Sequence, residues 1–412
     1  MQTLLADFIR DTEAGQEADE ILRRCVHCGF CLATCPTYQL LGDERDSPRG
    51  RIYLIKQLLE GQPATAAMQT HLDRCLTCRA CETTCPSGVR YGRLVDIGRA
   101  VLAEHGPPRP LAARATRWVL RHTLPHRAVF HSAAAVGRLA RPALPRALAS
   151  KLPPAVSTPA VAAGRHARRV LALAGCVQGE LAPQINAAAA RVLDALGVSM
   201  VEQPAAGCCG AMRFHLDDQA GGRRDAAALV AQWYPWLASG EIEAAVMTAS
   251  GCGAFVREYG HVLGQEHEGA AATTVADRTL DLSEFVAREL DVLRGRVQPA
   301  AAAVTLAWQS PCTLQHGQKI TGVVERILAA VGYRLTAVPD AHLCCGSAGT
   351  YSILQPAIAG RLREAKLQAL QGQGAQGIAS ANIGCITHLA GTARVPVRHW
   401  VEWVADRLLP AA

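Results

Sequence analysis

No run of roughly 18–20 consecutive apolar residues occurs in the 412-residue chain, so a membrane-spanning helix is not expected. Aromatic residues are scarce, at 5%, and no aromatic platform interleaves with the basic residues, which argues against single-stranded nucleic-acid binding. No G-x-G-x-x-G follows an apolar strand, and Gly207–Gly210 is interrupted by two cysteines. The chain therefore offers no convincing flavin or dinucleotide site of its own. Its first twenty residues carry acids and lack the apolar core of a secretory signal. Charged residues make up only 19% against 50% hydrophobic, a balance that excludes disorder over most of the length.

Cysteine is what the chain has in excess. Sixteen cysteines with no secretory signal point to a reducing, cytoplasmic compartment and to metal ligation, not to disulfides. Eight of them form two copies of C-x₂-C-x₂-C-x₃-C-P: Cys25, Cys28, Cys31, Cys35, Pro36, and Cys75, Cys78, Cys81, Cys85, Pro86. This is the ligand pattern of a two-cluster bacterial ferredoxin, in which the fourth cysteine of each run crosses to the other cluster. The expected sets are Cys25, Cys28, Cys31 and Cys85 for one [4Fe–4S] cluster, and Cys75, Cys78, Cys81 and Cys35 for the other. Two intervening residues let a tight loop wrap three thiolates around one face of a cube, and the proline then turns the chain away. A structural zinc role is the bland alternative, but two proline-ended runs giving eight thiolates divide cleanly into two cubes.

The formal charge of +7 counts every cysteine as neutral. Each cube with its four thiolates adds about −2, which leaves roughly +3 and removes the case for a nucleic-acid partner.

Composition divides the chain into segments. Residues 1–105 carry both runs and short helices, among them Arg51–Glu60 with apolar residues at three- and four-residue steps. Residues 106–168 are rich in Pro, Arg and Ala and read as a helical spacer ending in a flexible linker. Within it, Ala128–Leu152 is broken by Arg138, Arg141, Pro142, Pro145 and Arg146. Connecting helices are the preferred reading, and a peripheral segment on an anionic membrane is the other.

From Arg169 onward the chain repeats itself, over 169–298 and 299–412. Apolar runs at Arg169–Val177, Ala244–Gly253, Ala303–Cys312 and Gly377–Cys385 read as strands; helices are expected near 186–196, 226–237, 322–331 and 358–370. Alternation of this kind predicts α/β units with parallel strands. The expected class is α+β multidomain: a helical two-cluster domain, then a duplicated α/β module.

Each repeat holds four cysteines: Cys176, Cys208, Cys209, Cys252, and Cys312, Cys344, Cys345, Cys385. The first lies 32 positions before the first of the C-C-G pair in both repeats. Gly210, Gly253 and Gly346 are expected to allow tight turns. His316 and His388 follow Cys312 and Cys385 at helical offsets; these and His342 read as hydrogen-bonded structural residues before ligands. A further redox or metal centre stands open here beside a packing or docking role.

The doubled ferredoxin run followed by two C-C-G repeats resembles the CCG-domain, heterodisulfide-reductase-like iron–sulfur subunits. The segments CVHCGFCLATCPTYQLLGDERDSPRGRIYLIKQLLEG, ASGCGAFVREYG, HLCCGSAGTYSI and ANIGCITHL are most similar to the subunits of bacterial glycolate oxidases. The resemblance implies a relay of electrons from flavin on FAD-binding partner subunits towards a quinone or respiratory acceptor. It also implies peripheral association with the inner face of the cytoplasmic membrane, and no catalysis by this chain alone. Sister complexes oxidising lactate or glycerol 3-phosphate, or a disulfide or quinone reductase, are the alternatives. Relatives with an extra cluster end their last motif C-x-x-C; here those fourth positions are Phe255 and His388, so that ligand set does not carry over in full.

Overall fold

A computed structural model of the protein describes residues 1–143, 166–264, 269–298 and 304–410. The end of the expected linker, and the part of Ala128–Leu152 beyond residue 143, lie outside the described residues. The chain divides into two compact units. One comprises residues 1–114, 310–319 and 339–369, and the other comprises 115–309, 320–338 and 370–412.

The first unit is helical. Helices Glu13–Arg24, Pro48–Leu59 and Tyr91–His105 bury Ile21, Leu22, Ile55, Leu59, Leu94 and Leu102 in one core. The helix expected at Arg51 begins earlier, at Pro48, because Ser47 accepts the Gly50 N–H at 2.9 Å and Pro48 occupies the first helical position. A missing N–H costs nothing there.

Two four-stranded, all-parallel sheets build the second unit. The first contains β1 (Arg168–Ala172), β2 (Val198–Glu202), β3 (Ala244–Met247) and β4 (Thr279–Asp281), in the order β2-β1-β3-β4. The second contains β5 (Thr305–Gln309), β6 (Arg334–Leu335), β7 (Gly377–Ser380) and β8 (Val397–His399), in the order β6-β5-β7-β8. The same order of first, second, third and fourth strand in each sheet is what a duplicated module gives. Parallel pairing requires crossovers, and helices such as Gln184–Ala195 and Val323–Ala330 supply them.

Three sequence expectations are corrected. The apolar runs at 244–253 and 377–385 are strand only to Met247 and Ser380; helices Ser250–Val256 and Ile383–Ala390 then begin. Gly253 is accordingly a helix residue without left-handed backbone, not a turn glycine. The helix expected near 226–237 runs from Gln219 to Ala238, because Asp218 accepts the Gly221 N–H at 2.9 Å and starts it two turns sooner.

Candidate functional site

The two ferredoxin-type runs share one backbone. Residues two and four after the first cysteine are left-handed in both: His27 (φ 55°) and Gly29 (φ 84°), then Thr77 (φ 52°) and Arg79 (φ 62°). Only glycine adopts such values freely, so three of these four positions are strained. The strain turns the loop inward, and the Thr77 N–H points at Cys75 Sγ, 3.4 Å away. Pro36 opens helix Pro36–Leu41 as its first residue, so after Cys35 the chain continues at once as helix.

Each run contributes three cysteines to one cavity. The first cavity, about 440 Å³ and partly open to solvent, is lined by Cys25, Cys28, Cys31 and Cys85, with Cys81 at its edge. Val26, Pro48, Ile52, Val89 and Tyr91 make its apolar wall. The second, about 290 Å³, is lined by Cys75, Cys78, Cys81 and Cys35, with Leu76, Arg51 and Tyr91. Among the described residues no three thiols have their sulfurs within 4.8 Å of one another. A tetrahedral zinc would draw its sulfurs to roughly 3.8 Å separations. Four thiols spread around an open cavity fit a bulky multi-atom group better than a single ion.

Burial pushes the Cys31 thiol up to about 11, and raises Cys35 and Cys81 as well. These sulfurs become good ligands only when a cation compensates their charge. The second cavity is framed by a buried polar network. Arg51 donates to the His71 carbonyl at 2.7 Å and to Asp46 at 3.3 Å, and Asp46 also accepts from Arg74 at 2.9 Å. Asp43, Asp46 and His71 lie close together, but Asp46 is already committed to these cations and offers little to a metal.

In the first repeat all four cysteines meet within the second unit. Cys208 Sγ lies 3.4 Å from Cys176 Sγ and accepts the Gly210 N–H at 3.4 Å; Cys209 bridges Cys208 and Cys252. Thiol donors and an N–H aimed at one sulfur hold Cys208 well below the ordinary thiol range, while Cys176 and Cys209 are raised. Phe255 packs against Phe214 and Tyr259, with ring centroids 5.2 and 5.9 Å apart, so this fourth position belongs to the core.

In the second repeat Cys312 contacts Cys344, and Cys344 contacts Cys345. Cys312 also reaches Cys78 of the second run, all within the first unit. Cys385 belongs to the second unit, with Asn382 Nδ2 3.8 Å from its sulfur. His316 is excluded as a ligand by its neighbours: Nδ1 bonds Thr83 Oγ1 at 3.0 Å and Nε2 bonds the His342 carbonyl at 2.9 Å.

Family models match three segments of the chain. A 4Fe-4S dicluster domain matches residues 21–89, and a cysteine-rich domain matches 170–257 and again 306–390. The glycolate oxidase iron-sulfur subunit of Escherichia coli (strain K12) is 50% identical, with 99% of each chain covered. The chain belongs to the glycolate oxidase iron–sulfur subunit family. A second member, the probable glycolate oxidase iron-sulfur subunit of Bacillus subtilis (strain 168), is 30% identical over 95% of this chain and 94% of its own. Lactate utilization protein A of Bacillus velezensis matches more narrowly, at 25% identity over 52% of this chain and 88% of its own.

Motif reading alone misses the residues that surround the thiols of this family member. Arg51, Tyr91 and Arg99 are spread over 48 positions and converge only in three dimensions. One signal was available: Arg51 stands on the apolar stripe that continues through Ile55 and Leu58. A cation on that face needs buried partners.

Proposed function

We propose that this chain carries electrons for a flavin-dependent glycolate oxidase, passing them from flavin on FAD-binding partner subunits towards a quinone or respiratory acceptor. The observation that carries the reading is the pair of four-thiol cavities, in a chain aligned end to end with a glycolate oxidase iron-sulfur subunit. Cys25, Cys28, Cys31 and Cys85 would hold one [4Fe–4S] cluster, and Cys75, Cys78, Cys81 and Cys35 the other. Such clusters accept and release one electron at a time.

The chain's own residues do the rest. The buried Ile52 and Val89 exclude water from one side of the first cavity. The left-handed loop residues aim three sulfurs inward, and the network of Arg51, Asp46, His71 and Arg74 fixes the wall of the second. Oxidation of the substrate is assigned to the partner, because the full-length relatives are named as the iron-sulfur subunit of the oxidase. The glycolate reading is preferred to the lactate one because the lactate relative spans only half of the chain.

Iron, acid-labile sulfide and zinc quantitation on the anaerobically assembled complex tests this. About eight irons and eight sulfides per chain are expected. A colourless protein with zinc and no sulfide would end the reading.

No helix among the described residues is long and apolar enough to cross a membrane. Helix Arg127–Ala140 exposes Val129, Val136 and Leu139, which suits peripheral contact with the inner face of the membrane. Co-sedimentation with anionic vesicles, lost when Leu139 is changed to Glu, tests that contact.

A further inference from the structure

The two thiol sets differ in what surrounds their sulfurs. In the second, Cys75 Sγ accepts from the Thr77 N–H at 3.4 Å and from the Tyr91 hydroxyl at 3.5 Å. The Thr37 hydroxyl lies 3.3 Å from Cys35 Sγ but donates its proton to the Asp46 carbonyl at 2.9 Å, and the Cys312 thiol contacts Cys78. Arg99 stands beside Cys75, with Asp96 and Asp73 also near its charge, and donates to Thr77 Oγ1 at 2.9 Å, Leu72 O at 2.8 Å and Cys75 O at 2.7 Å. In the first set the Arg49 backbone N–H serves Cys31, but among the described residues no side-chain hydroxyl or thiol donates to Cys25, Cys28, Cys31 or Cys85. The guanidinium at that cavity, Arg49, is paired with Glu44 at 2.8 Å.

Adding an electron makes a cluster more negative. Hydrogen bonds to its sulfurs and a nearby cation stabilise that reduced state and raise the potential. Solvent at the exposed Cys28 and the half-buried Cys31 and Cys85 acts in the same direction on the first site, but in the dielectric of water, where charge interactions are weakest.

We propose that Tyr91, Arg99 and Cys312 set the order of electron flow, making the site of Cys75, Cys78, Cys81 and Cys35 the stronger one-electron acceptor. An electron supplied by a reduced flavin of the partner enters at Cys25, Cys28, Cys31 and Cys85 and moves to the second site. The first site is oxidised by one electron and the second reduced by one; no bond breaks and no proton is required. Cys312 then lies on the exit side, against Cys78. The three are positioning residues, since they act through the ligands. This rests on the cluster reading above.

Anaerobic redox titration of the assembled complex, followed by low-temperature EPR, decides it. Two one-electron transitions are expected. Tyr91→Phe should weaken reduction of the higher-potential centre about tenfold, a shift of about 59 mV, and leave the lower one in place. Arg99→Gln should do the same through a different contact, and it decides the matter if the Tyr91 variant does not assemble. Movement of the lower-potential transition, or of neither in both variants, overturns the proposal while the clusters stand. A wild-type complex with no acid-labile sulfide and no EPR signal overturns the cluster reading, and the order of flow with it.

Discussion

The two cysteine-rich repeats have one backbone and two chemistries. Strand order is the same in both sheets, and Gly210 and Gly346 hold almost the same left-handed angle, φ 88° and 89°. A Cβ at either would strike a carbonyl oxygen, of Gly222 at 2.3 Å or of Ala359 at 2.7 Å. Each also sends its N–H to the first cysteine of the C-C pair at 3.4 Å. Around that shared frame the side chains diverge. The first repeat gathers four thiols and seals them with Phe255. The second carries His388 at that place, and its Cys312 turns to Cys78. Duplication has kept what the backbone needs and released what the sulfurs do.

The sharpest divergence lies at the last strand of each sheet. Asp281 ends β4 and His399 ends β8, and each starts a helix through a capping box with a glutamate three residues on. Both are buried. His399 has its Nε2 2.8 Å from the Thr248 carbonyl, which can only accept, and its Nδ1 takes the Val401 N–H. A second proton would have to sit on Nδ1 against that N–H. Burial therefore drives His399 down to about 3, from 6.5. Its folded value is depressed, so the stability it gives is complete above pH 6.5 and is lost as pH falls towards 3. The full loss is on the order of 5 kcal/mol. His399→Asn should flatten the acid limb of a urea-unfolding series between pH 6.5 and 4; an unchanged limb would show that His399 is not held neutral.

A smaller effect separates the fourth cysteine-motif positions. Phe255→Ala removes a ring packed on Phe214 and Tyr259 and should cost about 3–5 kcal/mol. His388→Ala, at a half-buried site, should cost about 1 kcal/mol. Equal losses in thermal unfolding would mean that the two positions serve the same packing role.

The eight ferredoxin-type cysteines, the duplication and the parallel α/β units were legible because each leaves a short-range trace: fixed spacings, apolar runs, paired glycines. The unit boundaries could not be read, since residues 310–319 and 339–369 of the second repeat pack with the N-terminal helices, and nothing in their local composition records it. Cys252 and Cys385 were assigned to strand-like runs because an apolar stretch does not reveal where a strand stops and a helix begins. Tyr91, Arg99 and the bond from Cys312 to Cys78 arise from contacts across long separations, which no motif encodes.

The mirror of His399 gives the most specific test. Burial raises Asp281 to about 6, from 3.8, although the Ser283 N–H and hydroxyl both donate to its Oδ1, at 2.9 and 2.6 Å. A folded value above the unfolded one means stability that is present below pH 3.8 and lost as pH rises through 6. At neutral pH the ionised carboxylate therefore costs on the order of 3 kcal/mol. Asparagine also caps helices and accepts the same N–H without the charge. Asp281→Asn should raise the unfolding midpoint at pH 7 and leave it little changed at pH 4. Acidification then acts in opposite directions on the two caps: the first repeat gains as the second loses. Combining Asp281→Asn with His399→Asn should remove both contributions between pH 4 and 6.5 and leave the limb set by other shifted carboxyls such as Glu60, Glu180 and Asp218; a double variant that keeps the wild-type profile would place the titration elsewhere in the fold.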